Sequence, residues 1–399
     1  MNLKTLSLEN LPVKNQKVLM RVDFNVPIDK SATIKDDTRI RASLPSITHI
    51  LDRGGSVILM SHLGRPKGVV NKELSLRPCA ARLQELLGRP VLFAGDCVGP
   101  EATHIAKNLN PGEVLLLENL RFHAAEEKPE IDPGFAKSLA ELGTLYVNDA
   151  FGTAHRAHTS TVSLPKLFPG KAAAGFLIIK EIRFLGETLQ NPKRPFLSLI
   201  GGAKISSKIG VLKALLNKVD SLLIGGGMAY TFMKARGESV GKSLFEEGLE
   251  KEALLVLKLA EERKIPVLLP VDHVVTDSLV DQREVKIVVG SIPQGYYGVD
   301  IGPETVNLFK ESIAKAGTIF WNGPMGIFED PRFGQGTKDV AKAIASSSAI
   351  SIIGGGDSVA AAHEMGVADK VTHLSTGGGA SMEYIELGTL PGIEALTSA

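Results

Sequence analysis

Residues 197–215 read LSLIGGAKISSKIGVLKAL. An apolar run meets two glycines, two lysines follow four positions apart, and a helical pattern closes the stretch. In parallel α/β proteins, ligands sit beyond the carboxyl ends of the strands, and a strand that turns through glycine into a helix offers backbone N–H groups to phosphate. The spacing is nevertheless not that of G-x-x-x-x-G-K-[ST]. Lys204 and Lys208 are expected to share one face at the start of the helix, within reach of a polyphosphate or of a group in transfer.

The same alternation runs along all 399 residues. In the first half the apolar runs are VLMRVDF (18–24), SVILM (56–60), VLLLENL (114–120) and TLYVNDAF (144–151). In the second they are FLSLI (196–200), SLLIG (221–225), PVLLPVD (266–272), TIFWNG (318–323) and ISIIGG (351–355). The runs are continuous, as in strands buried on both faces, and helix-like stretches such as ASLPSITHILDRG and GTKDVAKAIASSS lie between them. The pattern predicts an α/β fold of two similar-sized domains, each a parallel sheet flanked by helices. Proline-rich segments bracket IIKEIRFLGETL within 164–196, which reads as a helix joining the domains. The expected domains are 1–175 and 176–389.

Composition narrows the partners. Lysine plus arginine is 45 and aspartate plus glutamate 44, so a net charge of +1 gives no global pull toward nucleic acid or an anionic membrane. Cys79 and Cys97 are too few for a disulfide framework or a four-ligand zinc site, which suits a reduced compartment. The stretch MNLKTLSLENLPVKN has no apolar signal region. The longest apolar stretch, Ala172 to Ile179, falls far short of the roughly 20 residues of a membrane-spanning helix. A cytoplasmic protein is expected, and with no apolar stripe calling for a partner, a monomer.

Function should then lie just after each strand, and the two halves differ there. The first half ends its strands in charge: Arg21-Val22-Asp23-Phe24-Asn25, Ser61-His62-Leu63-Gly64-Arg65, Glu118-Asn119-Leu120-Arg121 and Asn148-Asp149 through Arg156-Ala157-His158, with Arg39 and Arg41 before the first large helix. Any one of these reads equally as a surface charge. Their recurrence at four strand ends describes a rim for a small anion, since guanidinium forks bind carboxylate and phosphate oxygens in pairs. His155 and His158 could be read as a metal pair but bring no further nearby ligand. The second half ends its strands in glycine: Gly201-Gly202, Gly225-Gly226-Gly227, Asn322-Gly323, Gly354-Gly355-Gly356-Asp357-Ser358 and Gly377-Gly378-Gly379. These read either as tight turns or as a nucleotide cleft, and five at equivalent places favour the cleft. Asp357 suits a Mg²⁺ ligand or a helix cap.

Two look-alikes fall away. GESVGKS (237–243) is one residue short of a phosphate loop and follows a helix-like stretch. The dinucleotide fingerprint G-x-G-x-x-G fails at each triple glycine, where the sixth position is Tyr230, Val359 or Met382. Phosphoryl transfer is the simplest chemistry that joins an anion rim to a nucleotide cleft.

RVDFNVP, TRIRASLP, SHLGRP, ENLRF, VNDAFGTAHRAH, GGAKISSKI, NGPMGIFE, GGGDS and STGGGAS occur in the order found in the phosphoglycerate kinase family, and the chain resembles that family from about residue 3 to its end. The resemblance implies two α/β domains joined by a helix, with the tail 390–399 packing back on the first. It implies interconversion of 1,3-bisphosphoglycerate plus ADP with 3-phosphoglycerate plus ATP, with Mg²⁺ accompanying the nucleotide. By the same resemblance the acid is bound by Asp23, Phe24, Asn25, Arg39, His62, Leu63, Gly64, Arg65, Arg121 and Arg156. The nucleotide is bound by Lys208, Glu329, Gly355, Gly356, Asp357 and Ser358, with Asp357 on the metal. Arg39 and Lys204, with Gly355 and Gly378, are implied at the transferring phosphoryl. Ile182, Arg183 and the loop 278–286 depart from the family pattern, away from these residues.

Overall fold

The computed structural model describes residues 7–280 and 285–397; residues 281–284 of the loop 278–286, and the last two residues of the tail, lie outside the described residues. The chain divides into two units, Met1–Arg183 with Thr389–Ala399, and Phe184–Gly388.

The first unit is built on β1 (Lys17–Arg21), β2 (Ser56–Met60), β3 (Val91–Phe93), β4 (Val114–Leu116), β5 (Leu145–Asn148) and β6 (Ala172–Ala174), all parallel, in the order β3-β4-β2-β1-β5-β6. Val18, Met20, Val57 and Leu59 bury one face against the helices Thr38–Asp52 and Arg77–Leu87, which contribute Ile40, Ile47, Ile50 and Leu83. Arg21 pairs with both Met60 and Asn148. The chain therefore leaves three central strands at one level, which places Val22-Asp23, Ser61-His62 and Asp149 in a single row.

The second unit holds β7 (Phe196–Ile200), β8 (Ser221–Ile224) and β9 (Val267–Leu268), then β10 (Asp272–Thr276), β11 (Val285–Val289) and β12 (Tyr297–Ile301), and finally β13 (Thr318–Asn322), β14 (Ile350–Gly354) and β15 (His373–Leu374). Its main sheet is parallel, ordered β15-β14-β13-β7-β8-β9. From β7 the chain winds outward through β8 and β9, and from β13 outward the other way. The topological switch point therefore lies between β7 and β13, where Ile200 pairs with Asn322.

Two expectations change. A second, three-stranded antiparallel sheet, β11-β10-β12, was not visible in the sequence. The run PVLLPVD is not one strand: Pro270 separates β9 from β10, and a proline cannot donate to a ladder. The joining segment is helical as expected, Phe176–Glu181 continuing into a π-helical stretch, Ile182–Thr188. The start of this helix is anchored in the first unit, which extends to Arg183. Leu177 N and Ile178 N donate to Asp149 Oδ1 at 2.8 and 3.3 Å, and Phe176 N donates to Ser46 Oγ at 2.8 Å. The tail helix Pro391–Thr397 also belongs to the first unit, where Gly392 N donates to the Ala154 carbonyl at 2.8 Å.

Candidate functional sites

In the first unit, hydrogen bonds tie the strand-end loops into one rim. Asp23 Oδ2 accepts from Arg39 at 2.8 Å and Asp23 Oδ1 from Asn25 N at 3.2 Å. Asn25 Oδ1 in turn accepts from Gly64 N at 2.9 Å, and the Gly64 carbonyl accepts from Arg121 at 2.8 Å. Arg65 follows Gly64 and is exposed. Arg156 stands at the end of the β5 loop, its Nε donating to His155 Nε2 at 3.3 Å. The structure thus brings Asp23, Asn25, Arg39, Gly64 and Arg121 into one network. The side chains of Phe24 and Leu63 are buried in the core, and Phe24 N donates to Ser61 Oγ at 2.8 Å. An alternating chain at a strand end must send every second side chain inward.

Asn119, unmarked as a site residue in the sequence, is the brace of this rim. Its side chain donates to the carbonyls of Leu63 and Leu74 at 2.7 and 2.9 Å, and accepts from Arg121 N at 3.1 Å. Burial and the neighbouring cations both lower the pKa of two rim imidazoles. Burial, then Arg21, Arg121 and Arg39, pushes His62 well below the usual imidazole range. Burial, then Arg121, Arg21 and Arg156, pushes His158 down to about 3. Elsewhere in this unit Asp96, Cys97 and His123 converge within 4.8 Å, but they form a closed hydrogen-bonded cluster: Asp96 Oδ1 already meets His123 Nε2 at 2.7 Å and Cys97 N at 2.6 Å.

In the second unit, the register that pairs Ile200 with both Asn322 and Ile224, and Asn322 with Gly354, sets Gly201, Gly225, Gly323 and Gly355 side by side. These glycines divide into two groups. A Cβ on Gly201 would stand 2.2 Å from the Pro324 carbonyl, and one on Gly226, at φ +66°, 2.6 Å from Gly202 N. Such glycines let the loops pack on one another. At Gly356, Gly378 and Gly379 a Cβ would meet nothing within 4 Å. These three line a cleft of ≈ 480 Å³ with Lys204, Lys208, Asn322, Asp357 and Ser358. An adjoining hollow of ≈ 200 Å³ shares Gly202, Ala203 and Asp357 with it, and adds Tyr230, Val299, Ile327 and Glu329.

Lys204 and Lys208 do not share a helical face. The helix begins only at Ile209, and both lysines lie in the turn before it. Ser206 and Ser207 hold that turn open, Ser206 N and Oγ donating to Glu246 at 2.8 and 2.6 Å and Ser207 Oγ to the Lys204 carbonyl at 3.1 Å. Serines that bond locally compete with helix formation. Lys208 turns inward and donates to Asn322 Oδ1, while Lys204 stays exposed. Burial lowers the Lys208 pKa, and the charge of Asp357 opposes that shift. Asn322 is almost wholly buried and donates to the Gly354 carbonyl at 2.6 Å. It fixes the switch point, and its only signal in the sequence was a polar residue closing an apolar strand. Glu383 and Glu386 at the cleft wall had no signal at all.

Asp357 and Ser358 part company. Asp357 is exposed in the first turn of the helix Gly356–Glu364, whose N-cap is Gly355. A carboxylate open to the cleft fits a hard cation carried by phosphate oxygens. Ser358 is fully buried, and its hydroxyl accepts from Gly323 N at 2.5 Å. It positions the neighbouring loop.

The loop bearing Glu329 rests on Asp300, which is 1% exposed and accepts from Gly336 N and Ile301 N at 2.6 and 2.9 Å. Burial pushes its pKa from 3.8 up to about 7. The folded state then holds this proton more tightly than the unfolded chain. The stabilisation is full below the unfolded value and is lost as pH rises toward about 7. We expect Asp300→Asn to flatten the dependence of Tm on pH between about 4 and 7. Parallel slopes for the two proteins would contradict this.

Two parallel α/β units, one with a guanidinium rim and one with a glycine-lined cleft at its switch point, define a phosphate-binding protein of the doubly wound class. The comparisons with known proteins are specific. A model of the family described as phosphoglycerate kinase matches residues 8–387. The chain is 54% identical to the phosphoglycerate kinase of Koribacter versatilis over 403 residues, covering 98% of this chain and 99% of that one. It is 53% identical to the phosphoglycerate kinase of Moorella thermoacetica over 393 residues, with the same coverage. The structure of phosphoglycerate kinase from Coxiella burnetii superposes with a TM-score of 0.87 at 39% identity, covering 98% of each chain. The chain belongs to the phosphoglycerate kinase family.

Proposed function

We propose that this chain is a phosphotransferase with a carboxyl group as acceptor, moving a phosphoryl group reversibly between ATP and 3-phosphoglycerate, with ADP and 1,3-bisphosphoglycerate on the other side. This is a step of glycolysis and of its reversal. The observation that carries the reading is Lys208, drawn by Asn322 to the switch point beside Asp357, in a cleft that Gly356 and Gly378 leave open.

The acceptor carboxylate is already ionised at neutral pH, so the reaction needs no general base. What it needs is alignment and cancellation of charge on the equatorial oxygens. In this reading the rim of Asp23, Asn25, His62, Arg65, Arg121 and Arg156 holds the acid. Lys208, Gly355 and the open backbone of Gly356 and Gly378 hold the nucleotide phosphates, Glu329 takes the ribose, and the hollow beside Tyr230 takes the base. Arg39 and Lys204 face the transferring group. Asp357 would hold Mg²⁺, which would supply positive charge to the nucleotide phosphates. Because rim and cleft belong to different units, transfer requires them to come together, and we read the π-helical stretch Ile182–Thr188 as the hinge. A monomer in the cytoplasm completes the proposal; among the described residues no helix is long and apolar enough to cross a membrane.

The direct test couples ADP formation from ATP and 3-phosphoglycerate to a spectroscopic readout. Turnover that depends on both compounds supports the reading, and ATP consumption indifferent to the acid would refute it. Lys208→Ala should weaken Mg·ATP binding about 10–100-fold by titration, since a charge-assisted phosphate contact is worth about 1.5–3 kcal/mol. An unchanged titration would remove Lys208 from the site.

A further inference from the structure

Arg21 has no part in the mechanism above, yet it is among the largest fully buried side chains of the molecule. It ends β1 directly behind the rim. Its Nε donates to Ser160 Oγ at 2.9 Å, one terminal nitrogen donates to the Val22 carbonyl, and the other lies 3.2 Å from His62 Nδ1. Glu126, equally buried, stands 4.0 Å away and accepts from Ser160 N and Oγ at 3.0 and 2.6 Å. Tyr146 closes the cluster by donating to the Ser160 carbonyl at 2.7 Å. Each of the three guanidinium nitrogens thus has a partner, which holds the group in place.

A guanidinium carries donors only. Its contact with His62 therefore requires the lone pair of Nδ1, and the ring proton must sit on Nε2. Among the described residues Nε2 has no protein partner. We propose that Arg21 is a positioning residue: it locks His62 in the Nε2–H tautomer, so that this one N–H is offered to an oxygen of the bound acid. Burial, and then the charges of Arg21, Arg121 and Arg39, oppose a second proton on the ring. His62 thus differs from the arginines of the rim. It recognises an oxygen by direction without adding another buried cation, and the cluster Arg21–Ser160–Glu126 sets that direction. The identity of the acid rests on the proposed function; the tautomer does not.

The test has two arms. In the wild-type protein, ¹⁵N-labelled on histidine, long-range ¹H–¹⁵N spectra should show His62 with a bare Nδ1 and a protonated Nε2 near neutral pH; protonated Nδ1 would overturn the proposal whatever the enzyme's activity. The second arm is Arg21→Met combined with Glu126→Gln, which avoids stranding a buried carboxylate. The tautomers should become mixed and KM for 3-phosphoglycerate should rise about tenfold, the effect of one misdirected hydrogen bond, while ADP affinity stays the same. An ordered tautomer with unchanged KM would overturn it, and so would an equal loss of ADP affinity, which signals general unfolding. A wild-type chain with the expected tautomer but no turnover of 3-phosphoglycerate would instead refute the proposed function alone.

Discussion

Arg39→Ala is expected to lower kcat by roughly 10³-fold, within the range found for cationic and oxyanion-stabilising groups at transferring centres, and to leave nucleotide affinity nearly unchanged. Arg39 lies early in the helix Thr38–Asp52, its side chain about one-third exposed and aligned by Asp23 Oδ2 at 2.8 Å. A cation held in place beforehand stabilises developing charge without reorganising during the reaction, which is why its removal should act on turnover. Asp23 is only 8% exposed and would lose its partner, so part of the loss could come from a displaced rim. Arg39→Lys separates the two effects: it keeps a charge for Asp23 but lacks the planar fork, so most of the kcat loss should persist. Measured kcat together with ADP titration decides the matter, and an equal fall in ADP binding would sink the assigned role.

Lys204→Ala should also act on kcat, by about 10²–10³-fold, with the affinities for ADP and for 3-phosphoglycerate both retained. The loop around Lys204 is held by Ser206, Ser207 and Glu246, and the lysine's contribution to it is its carbonyl, which alanine keeps. The fold of the loop should therefore survive. The contrast with Lys208 is sharp: that side chain is anchored on Asn322 and half-buried, so its loss should appear in nucleotide binding. If Lys204→Ala weakened ADP as strongly as Lys208→Ala does, the division of labour between the two lysines would fail.

The parallel sheets were legible because strands buried on both faces must be continuously apolar, and SVILM and FLSLI are observed strands residue for residue. Strand ends were legible too, since a charged or glycine residue has to follow where the chain leaves the core. The antiparallel sheet escaped because β11 is half-exposed along its length and β12 begins in a mixed stretch, YGVDI. The helical spacing of Lys204 and Lys208 misled because Ser206 and Ser207 spend their hydroxyls on a turn, a competition that spacing alone does not reveal. Phe24 and Leu63 entered the ligand list with their motifs, although alternation turns their side chains into the core. The roles of Asn119, Asn322 and Arg21 stayed hidden for the opposite reason. Each acts through partners distant in sequence, Leu63 and Leu74, Lys208, and Ser160 respectively, so the role exists only once the loops meet.

The claim that most needs testing is that one phosphoryl group passes directly from the nucleotide in the glycine cleft to the acid on the guanidinium rim, with no covalent intermediate on the protein. ATP made chiral at its γ-phosphorus with oxygen isotopes, converted with 3-phosphoglycerate, reports this in the configuration of the product. A single in-line displacement inverts phosphorus, and inversion is the expected result. Net retention would mean two successive displacements through a protein nucleophile, and would contradict the roles of Arg39 and Lys204 at the transferring group.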